Sequence, residues 1–203
     1  MTYKIKEIKL IHRILNSIIG RKMRVISGKA KGTKLETLQG NNTRPTLDRV
    51  KESLFNIINN KIYDSIVLDL FSGSGSLAIE TVSRGAKKAY ICDYSKEAIK
   101  VIKRNIERTH CEENTEVFQL DYLKCLEKLK KIKFDIIFLD PPYFSNYDLQ
   151  AVKYITEHQM LNENGIIIIE TDCKDKKEYE LAKLKINIYD LRKYGRVNLL
   201  FLN

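Results

Sequence analysis

Four aspartates, each at the carboxyl end of an apolar run, are the residues of this chain best placed to do chemistry. They are Asp69, Asp93, Asp121 and Asp140, and 19 to 28 residues separate each from the next. That interval fits one strand followed by one helix, the repeating unit of a parallel α/β sheet. Because ligands of such sheets bind at the carboxyl ends of the strands, the sequence predicts one crevice lined by all four carboxylates.

The loop that begins at Asp69 contains two glycines, Gly73 and Gly75, which allow the backbone to lie against a cofactor. The spacing alone also fits a dinucleotide fingerprint, in which the pyrophosphate sits at the helix N-terminus. Here, however, the Asp69 carboxylate would repel pyrophosphate and attract a cation. S-adenosylmethionine has an ammonium and a sulfonium and carries no phosphate, so we expect it to be the cofactor.

The other aspartates suit the nucleoside part of that cofactor. Asp93 can accept hydrogen bonds from both ribose hydroxyls, because a carboxylate accepts two of them side by side. Asp121 and Tyr122 are expected to meet the adenine. The predicted cofactor-binding residues are Asp69, Phe71, Gly73, Ser74, Gly75, Asp93, Tyr94, Asp121 and Tyr122.

The motif Asp140-Pro141-Pro142-Tyr143 follows the fourth apolar run. The Asp140 carboxylate and the Pro141 carbonyl can both accept from one exocyclic amine and direct its lone pair at the methyl group of the cofactor. Tyr143 offers a flat face on which a base can stack. We therefore predict these four residues as catalytic, in a direct methyl transfer to a base that has left its stack.

The charge of the chain is concentrated at its N-terminal end. Residues 1–60 hold 13 basic and 4 acidic residues, whereas residues 61–203 hold 23 and 22. Such asymmetry favours a polyanionic partner, nucleic acid before an anionic membrane. Residues 1–22 have the pattern of a basic amphipathic helix, and 23–36 that of two short strands around a Gly28–Gly32 turn. The predicted phosphate-binding and substrate-binding residues are Arg24, Lys29, Lys31, Lys34, Arg44 and Thr46, the last also as the cap of the next helix.

Apolar runs and helical patterns alternate from residue 66 onward, which indicates a mostly parallel sheet covered on both faces. The predicted strands are Ile66–Phe71, Ala89–Asp93, Glu116–Gln119, Asp135–Leu139, Gly165–Glu170, 185–190 and 197–202, and the last two form an antiparallel edge hairpin. Helical patterns include Lys96–Arg108 and Asp148–Met160. The predicted parts of the chain are a basic extension (1–22), an RNA-binding appendage (23–60) and a catalytic domain (61–203).

The composition excludes several classes of protein. The four cysteines have no C-x-x-C spacing and the three histidines are scattered, so we expect neither a zinc site nor a disulfide framework. Apolar runs stay short of the 18 residues that a membrane span needs, and lysines interrupt the N-terminal ones. The expectation is a cytoplasmic monomer that binds no metal and no membrane.

The combined motifs resemble a known family. D-P-P-Y together with D-x-F-x-G-x-G is similar to the amino-group methyltransferases of the class I S-adenosylmethionine fold. The segments Met23–Leu35 and Arg44–Asn56 are similar to the RsmD-type bacterial 16S rRNA guanine-N2 methyltransferases, and the resemblance runs from Met23 to the end of the chain.

The resemblance implies a Rossmann-like α/β fold with a seven-stranded sheet. It also implies methylation of one guanine N2 in small-subunit ribosomal RNA, free or in an assembling subunit, with S-adenosylhomocysteine as product. Asp69, Gly73, Gly75, Asp93 and Asp121 match cofactor positions of the family, Asp140 to Tyr143 match its catalytic loop, and Arg44 and Thr46 match a segment near the active site. The alternatives are an adenine-N6 or other amino-group methyltransferase on DNA or another RNA, a NAD-dependent oxidoreductase, and a non-catalytic RNA-binding module.

Overall fold

The computed structural model describes residues 23–38, 45–142 and 145–203, with the side chains of 45–48 excepted. The helix predicted for 1–22 and the predicted site residues Arg44 and Tyr143 lie outside the described residues.

In the described part of the chain, seven strands form one sheet and six α-helices flank it. The strands are β1 (Ile66–Asp69), β2 (Lys88–Asp93), β3 (Thr115–Gln119), β4 (Phe134–Leu139), β5 (Leu161–Thr171), β6 (Ile188–Tyr194) and β7 (Val197–Leu202). The helices are α1 (Pro45–Ile57), α2 (Ser76–Ser83), α3 (Lys96–Thr109), α4 (Tyr122–Leu129), α5 (Tyr147–Glu157) and α6 (Lys174–Lys183). The strand order is β3-β2-β1-β4-β5-β7-β6.

The order of the strands places the predicted site at the centre of the sheet. β1 to β5 run parallel, and β7 is antiparallel to both β5 and β6. The chain proceeds outward from β1 to β3 and then returns to place β4 on the other side of β1. Such a reversal opens a crevice at the carboxyl ends of the two central strands. Asp69 ends β1 and Asp140 directly follows β4.

Helices cover both faces of the sheet and bury two apolar clusters. Leu54 of α1, Ile79 of α2 and Ile102 of α3 pack on one face. Leu126 of α4 and Leu181 of α6 pack on the other, together with α5. Burial on both faces accounts for the continuous apolar runs in the central strands, such as Ile166 to Ile169 in β5.

Residues 23–36 form a hairpin that packs against the helical layer of α1 to α3. Its pairing is limited to one bridge between Arg24 and Lys34 and three backbone hydrogen bonds between the two arms, so the two predicted strands do not form as regular strands. Gly28 has a φ of +83°, and a Cβ there would lie 1.8 Å from the Ser83 carbonyl oxygen. The hairpin turn thus bends away to follow α2 instead of extending a two-stranded ladder.

A fully buried carboxylate fixes this hairpin to α2. The Glu80 carboxylate accepts from the backbone amides of Ile26 at 2.7 Å and Ser27 at 2.9 Å. It also pairs with Lys51 of α1 at 3.1 Å and with Arg84 at 2.8 Å. Because a buried charge is stable only when it is paired and hydrogen-bonded, Glu80 ties the hairpin, α1 and α2 into one unit.

Several predicted boundaries are wrong in ways that local chemistry explains. α1 begins at Pro45, so Thr46 lies inside its first turn rather than at its cap, since proline fits a first turn that needs no amide donor. Lys185, with a φ of +57°, ends the turn after α6, and the edge hairpin therefore begins at Ile188 rather than at 185. α5 covers Tyr147–Glu157 rather than 148–160. Of the helices in the described part of the chain, none has the length and apolar character that a membrane crossing requires.

Candidate active site

Asp69 is a buried carboxyl held by neutral donors. The Ser72 hydroxyl donates to its Oδ2 at 2.6 Å and the Ala78 amide donates to the same atom at 3.3 Å. Loss of solvation raises the pKa of Asp69 to about 6, the two hydrogen bonds oppose that shift, and the nearby charge of Asp93 adds to it. A carboxyl in this state gains from a cationic ligand, which would restore its charge.

The glycine loop after β1 opens its backbone toward the crevice. Gly73 has a φ of +56°, and nothing lies within 4 Å of the place where a Cβ would stand. Its amide donates to Oδ2 of Asp93 at 2.9 Å, while the Ser95 amide donates to Oδ1 at 2.8 Å. Gly75, with a φ of +79°, precedes the first turn of α2. The loop is therefore held in the geometry that a close-lying ligand needs.

Asp140 lies in the crevice beside two further carboxyls. Asp140 is solvent-exposed as a residue, although many protein atoms lie near its carboxyl. The resulting loss of solvation raises the pKa of Asp140 well above its ordinary value, and the charges of Glu170 and Asp69 raise it further. Burial also raises the pKa of Glu170. Three carboxyls that line one crevice form a site for positive charge.

One crevice of about 190 Å³ joins the predicted residues from different elements. Those that line it are Asp69, Phe71, Gly73, Ser74 and Asp140. Glu170 of β5 lines the crevice as well and was not among the predicted site residues. The strand predicted for Gly165–Glu170 ends at this residue, so the rule that selected Asp69 applies to it equally. Met23 and Lys51 also reach this crevice from the hairpin and α1, and no sequence signal distinguished them.

Asp121 and Tyr122 begin α4 beside an aromatic cluster rather than on the crevice wall. The exposed Asp121 caps the helix by accepting from the Leu123 amide at 3.0 Å. The Tyr122 ring lies 5.3 Å from Phe71 and 4.9 Å from Tyr147 between centroids, and its hydroxyl donates to a glutamine on α5 at 2.7 Å. Burial raises the pKa of Tyr122. The adenine contact predicted for these two residues stays a prediction.

Most of the remaining predicted residues are exposed. Tyr94 is 74% exposed at the end of β2. The four basic residues predicted to bind phosphate, Arg24, Lys29, Lys31 and Lys34, are all exposed on the hairpin. Pro141 is partly buried and Pro142 is exposed, and the Pro142 carbonyl accepts from the Ser145 amide at 3.2 Å. Of Thr46 only the backbone is described.

The residues present fit S-adenosylmethionine. In the described ranges, no cluster of three or more histidine, cysteine, aspartate or glutamate side chains could hold a metal ion. The poorly solvated carboxyl of Asp69 suits the ammonium of the cofactor. The open backbone at Gly73 leaves room for its amino-acid chain. The Asp93 carboxylate can accept from the hydroxyls of its ribose.

The fold and the site together define a class I, Rossmann-like methyltransferase architecture. A solved structure from Escherichia coli, the protein yhhF, superposes with a TM-score of 0.76 at 25% identity, covering 90% of this chain and 97% of that one. Its similarity extends over nearly the whole described chain and confirms the predicted fold class.

The sequence comparisons narrow the class to one family. The family described as "Conserved hypothetical protein 95" matches residues 23–203, and the chain belongs to it. The Haemophilus influenzae protein named "Ribosomal RNA small subunit methyltransferase D" is 40% identical over 158 residues, 76% of this chain and 80% of that protein. YlbH of Bacillus subtilis is 39% identical over 177 residues, 85% of this chain and 94% of that one. Family and fold agree with the predicted class, a methyltransferase that uses S-adenosylmethionine.

Proposed function

We propose that this protein transfers a methyl group from S-adenosylmethionine to the N2 amine of a guanine in small-subunit ribosomal RNA. It does so as a monomer in the cytoplasm, with residues 61–203 as the catalytic domain and 23–60 as an RNA-binding appendage. The proposal extends to this chain the activity in the name of its relative from Haemophilus influenzae. The amine specificity comes from the resemblance of the catalytic loop and from the chemistry of Asp140 and Pro141.

The observation that carries the proposal is that Asp140 and Asp69 open into one crevice from neighbouring strands. One carboxyl belongs to the predicted amine-binding motif and the other to the predicted cofactor loop. A reaction between an amine and a sulfonium methyl group needs both partners held in line at close range. Adjacent strand ends meet that requirement without any movement of the sheet.

Asp69 and Asp93 are proposed to hold the cofactor. Asp69, buried with a raised pKa, accepts from the ammonium of the amino-acid part and becomes fully ionised in doing so. Asp93 accepts from the ribose hydroxyls with the lone pairs that Gly73 and Ser95 leave free. S-adenosylmethionine supplies a methyl group on a sulfonium, whose bonding electron pair stays on sulfur when the methyl leaves.

Asp140 and Pro141 are proposed to hold the amine. The Asp140 carboxylate and the Pro141 carbonyl accept hydrogen bonds from the two N–H groups of N2. These hydrogen bonds turn the nitrogen lone pair toward the methyl group. As the N–C bond forms, the nitrogen gains positive charge and its proton becomes acidic. Asp140 then stabilises that charge and takes the proton, a role that the raised pKa of its carboxyl favours. The reaction forms no covalent intermediate with the enzyme.

The test is to identify the methylated nucleoside. Small ribosomal subunits from cells that lack this protein are incubated with the pure protein and methyl-labelled S-adenosylmethionine, and the RNA is digested to nucleosides. We expect label in N2-methylguanosine alone, at about one methyl group per subunit. Total RNA and plasmid DNA are treated in parallel. Label in N6-methyladenosine, or in DNA rather than RNA, would support the alternative amino-group methyltransferase, and no label in any substrate would refute the proposed activity.

A further inference from the structure

A charged groove of about 780 Å³ lies between residues 34–38 and α3. Its charged lining residues are Lys34, Glu36, Glu97, Lys100, Arg104 and Arg108, four cations and two carboxylates. Lys100, Arg104 and Arg108 follow each other at four-residue intervals, which places them on one face of the helix with a rise of about 6 Å from each to the next. The groove therefore has a linear row of positive charge along one wall.

Two of these cations converge on a single carboxylate. Nε of Arg104 donates to one oxygen of Glu36 at 2.6 Å, and Nη2 of Arg108 donates to the other at 2.5 Å. Both guanidinium side chains are about half exposed, 49% and 46%. The hydrogen bonds from Arg104 and Arg108 and their charges lower the pKa of Glu36, against a smaller loss of solvation. Converging guanidiniums are also the arrangement that binds a phosphate.

The backbone of Glu36 is held independently of its side chain. The buried Asn105 of α3 accepts from the Glu36 amide at 2.7 Å and donates to the Glu36 carbonyl at 2.9 Å. Its amide nitrogen also donates to the Ser74 carbonyl at 2.9 Å. The carboxylate can therefore leave the arginines while the segment of residues 34–38 keeps its place beside the cofactor loop.

The groove adjoins the catalytic crevice. Thr37 and Leu38 line both of them, and Asp69 and Asp140 line the crevice as well. A nucleotide whose base enters the crevice would therefore have its neighbours in the chain beside the groove.

We propose that this groove binds the phosphate backbone of the RNA next to the target nucleotide, and that Glu36 occupies the place of one phosphate until RNA displaces it. The inference rests on the proposed function, since it takes RNA as the substrate. Rows of basic side chains bind phosphates and make no sequence-specific contact with bases. The groove would therefore position the RNA rather than select its sequence. The row of cations on α3 then extends the contact surface beyond the hairpin lysines.

The test combines two variants of opposite expected sign. The triple variant Lys100→Gln, Arg104→Gln, Arg108→Gln removes the row, and Glu36→Gln removes the internal competitor. The control triple Lys174→Gln, Lys176→Gln, Lys183→Gln removes the same charge from α6, on the opposite face of the sheet. The affinity for a 16S rRNA fragment and for an oligouridylate is measured by filter binding over a range of salt concentration, without turnover. Binding of S-adenosylhomocysteine and thermal unfolding verify that each variant is folded.

We expect the α3 triple variant to lose tenfold or more in RNA affinity and to flatten the slope of log affinity against log salt by about 2, since each single-strand phosphate contact contributes about 0.7. Glu36→Gln should bind RNA several-fold more tightly, whereas a purely structural ion pair would leave affinity unchanged or reduce it. An unchanged slope in the α3 triple, or equal losses in both triples, overturns the proposal. If the α3 triple is unfolded, tighter binding by Glu36→Gln supports the proposal and unchanged or weaker binding overturns it. Methylation by the wild-type protein is measured in a separate experiment. A failure of the proposed activity can therefore be told apart from a failure of the proposed phosphate groove.

Discussion

The backbone amide of Gly73 donates to Oδ2 of Asp93 at 2.9 Å and so joins the loop after β1 to the end of β2. The other oxygen of the same carboxylate accepts from Ser95. Asp93 therefore shapes the cofactor loop before any ligand binds. In the proposed function it also accepts from the ribose, which gives one side chain both a positioning and a binding role.

Replacing Asp93 with asparagine should weaken binding of S-adenosylhomocysteine by roughly 10- to 100-fold. The asparagine side chain keeps one acceptor oxygen and loses the negative charge of the aspartate. Hydrogen bonds to a charged group contribute about 1.5–3 kcal/mol. Isothermal titration calorimetry measures the affinity directly. Asp175→Asn, an exposed carboxyl on α6, is the control and should bind as the wild type does. Equal affinity in Asp93→Asn and wild type would remove Asp93 from the cofactor site.

Replacing Asp69 with asparagine should stabilise the ligand-free protein near pH 7.5 and abolish cofactor binding. Because the pKa of Asp69 is raised to about 6 in the folded protein, the folded state binds more protons than the unfolded state between about pH 4 and 6. Stability from this residue therefore falls as pH rises through that range. The full effect is on the order of 3 kcal/mol, from a shift of about two pKa units.

The measurement for Asp69 is urea unfolding of wild type and Asp69→Asn at several pH values. The variant should exceed the wild type in free energy of unfolding at pH 7.5, and the difference should shrink toward pH 4. A difference that does not depend on pH would show that the pKa of Asp69 is not raised. Site residues commonly reduce stability in this way, since a poorly solvated charge is kept for the ligand.

Replacing Lys177 with methionine should destabilise the protein by about 3–5 kcal/mol, because it leaves the buried Asp148 carboxylate without its counter-charge. Lys177 donates to Asp148 at 2.5 Å and to the Ser145 carbonyl at 3.3 Å, three residues after Pro142. The pair thus holds the segment that follows the catalytic loop. Chemical denaturation gives the loss of stability, and Lys176→Met, its exposed neighbour, is the matched control.

Two outcomes would contradict this role of Lys177. A loss of stability equal to that of the control would mean that the pair contributes nothing. A large loss of stability with unchanged turnover of the folded fraction would mean that the segment beyond Pro142 needs no anchor from α6.

The strand-end rule succeeded for the two central strands, whereas Asp93 and Asp121, after the outer strands β2 and β3, are not among the residues that line the crevice. Strand ends of a parallel sheet meet at one edge, so Asp69 and Asp140 could be assigned to one crevice without coordinates. Glu170 obeys the same rule and was passed over because no motif surrounds it. The parallel arrangement of β1 to β5 also followed from the alternation of apolar runs and helical patterns.

Contacts between distant surface elements were not predictable. The carboxylate of Glu80 and the amide of Asn105 each bind backbone groups of the hairpin, more than 50 residues away along the chain. Nothing in helix periodicity distinguishes a buried polar residue that meets a backbone from one that faces solvent. The prediction of two regular hairpin strands was wrong for a related reason, since the backbone amides of Ile26 and Ser27 bind Glu80 of α2 and not the facing arm of the hairpin.

The central claim is that Asp140 holds the reacting amine, and single-turnover methylation by Asp140→Ala tests it most directly. With saturating S-adenosylmethionine and subunits lacking the modification, the variant should transfer methyl groups at least 100-fold more slowly than the wild type, the scale of losing one electrostatic contact to the reacting group. Its affinity for S-adenosylhomocysteine should stay within a few-fold of wild type. A single-turnover rate within about threefold of wild type would contradict the account.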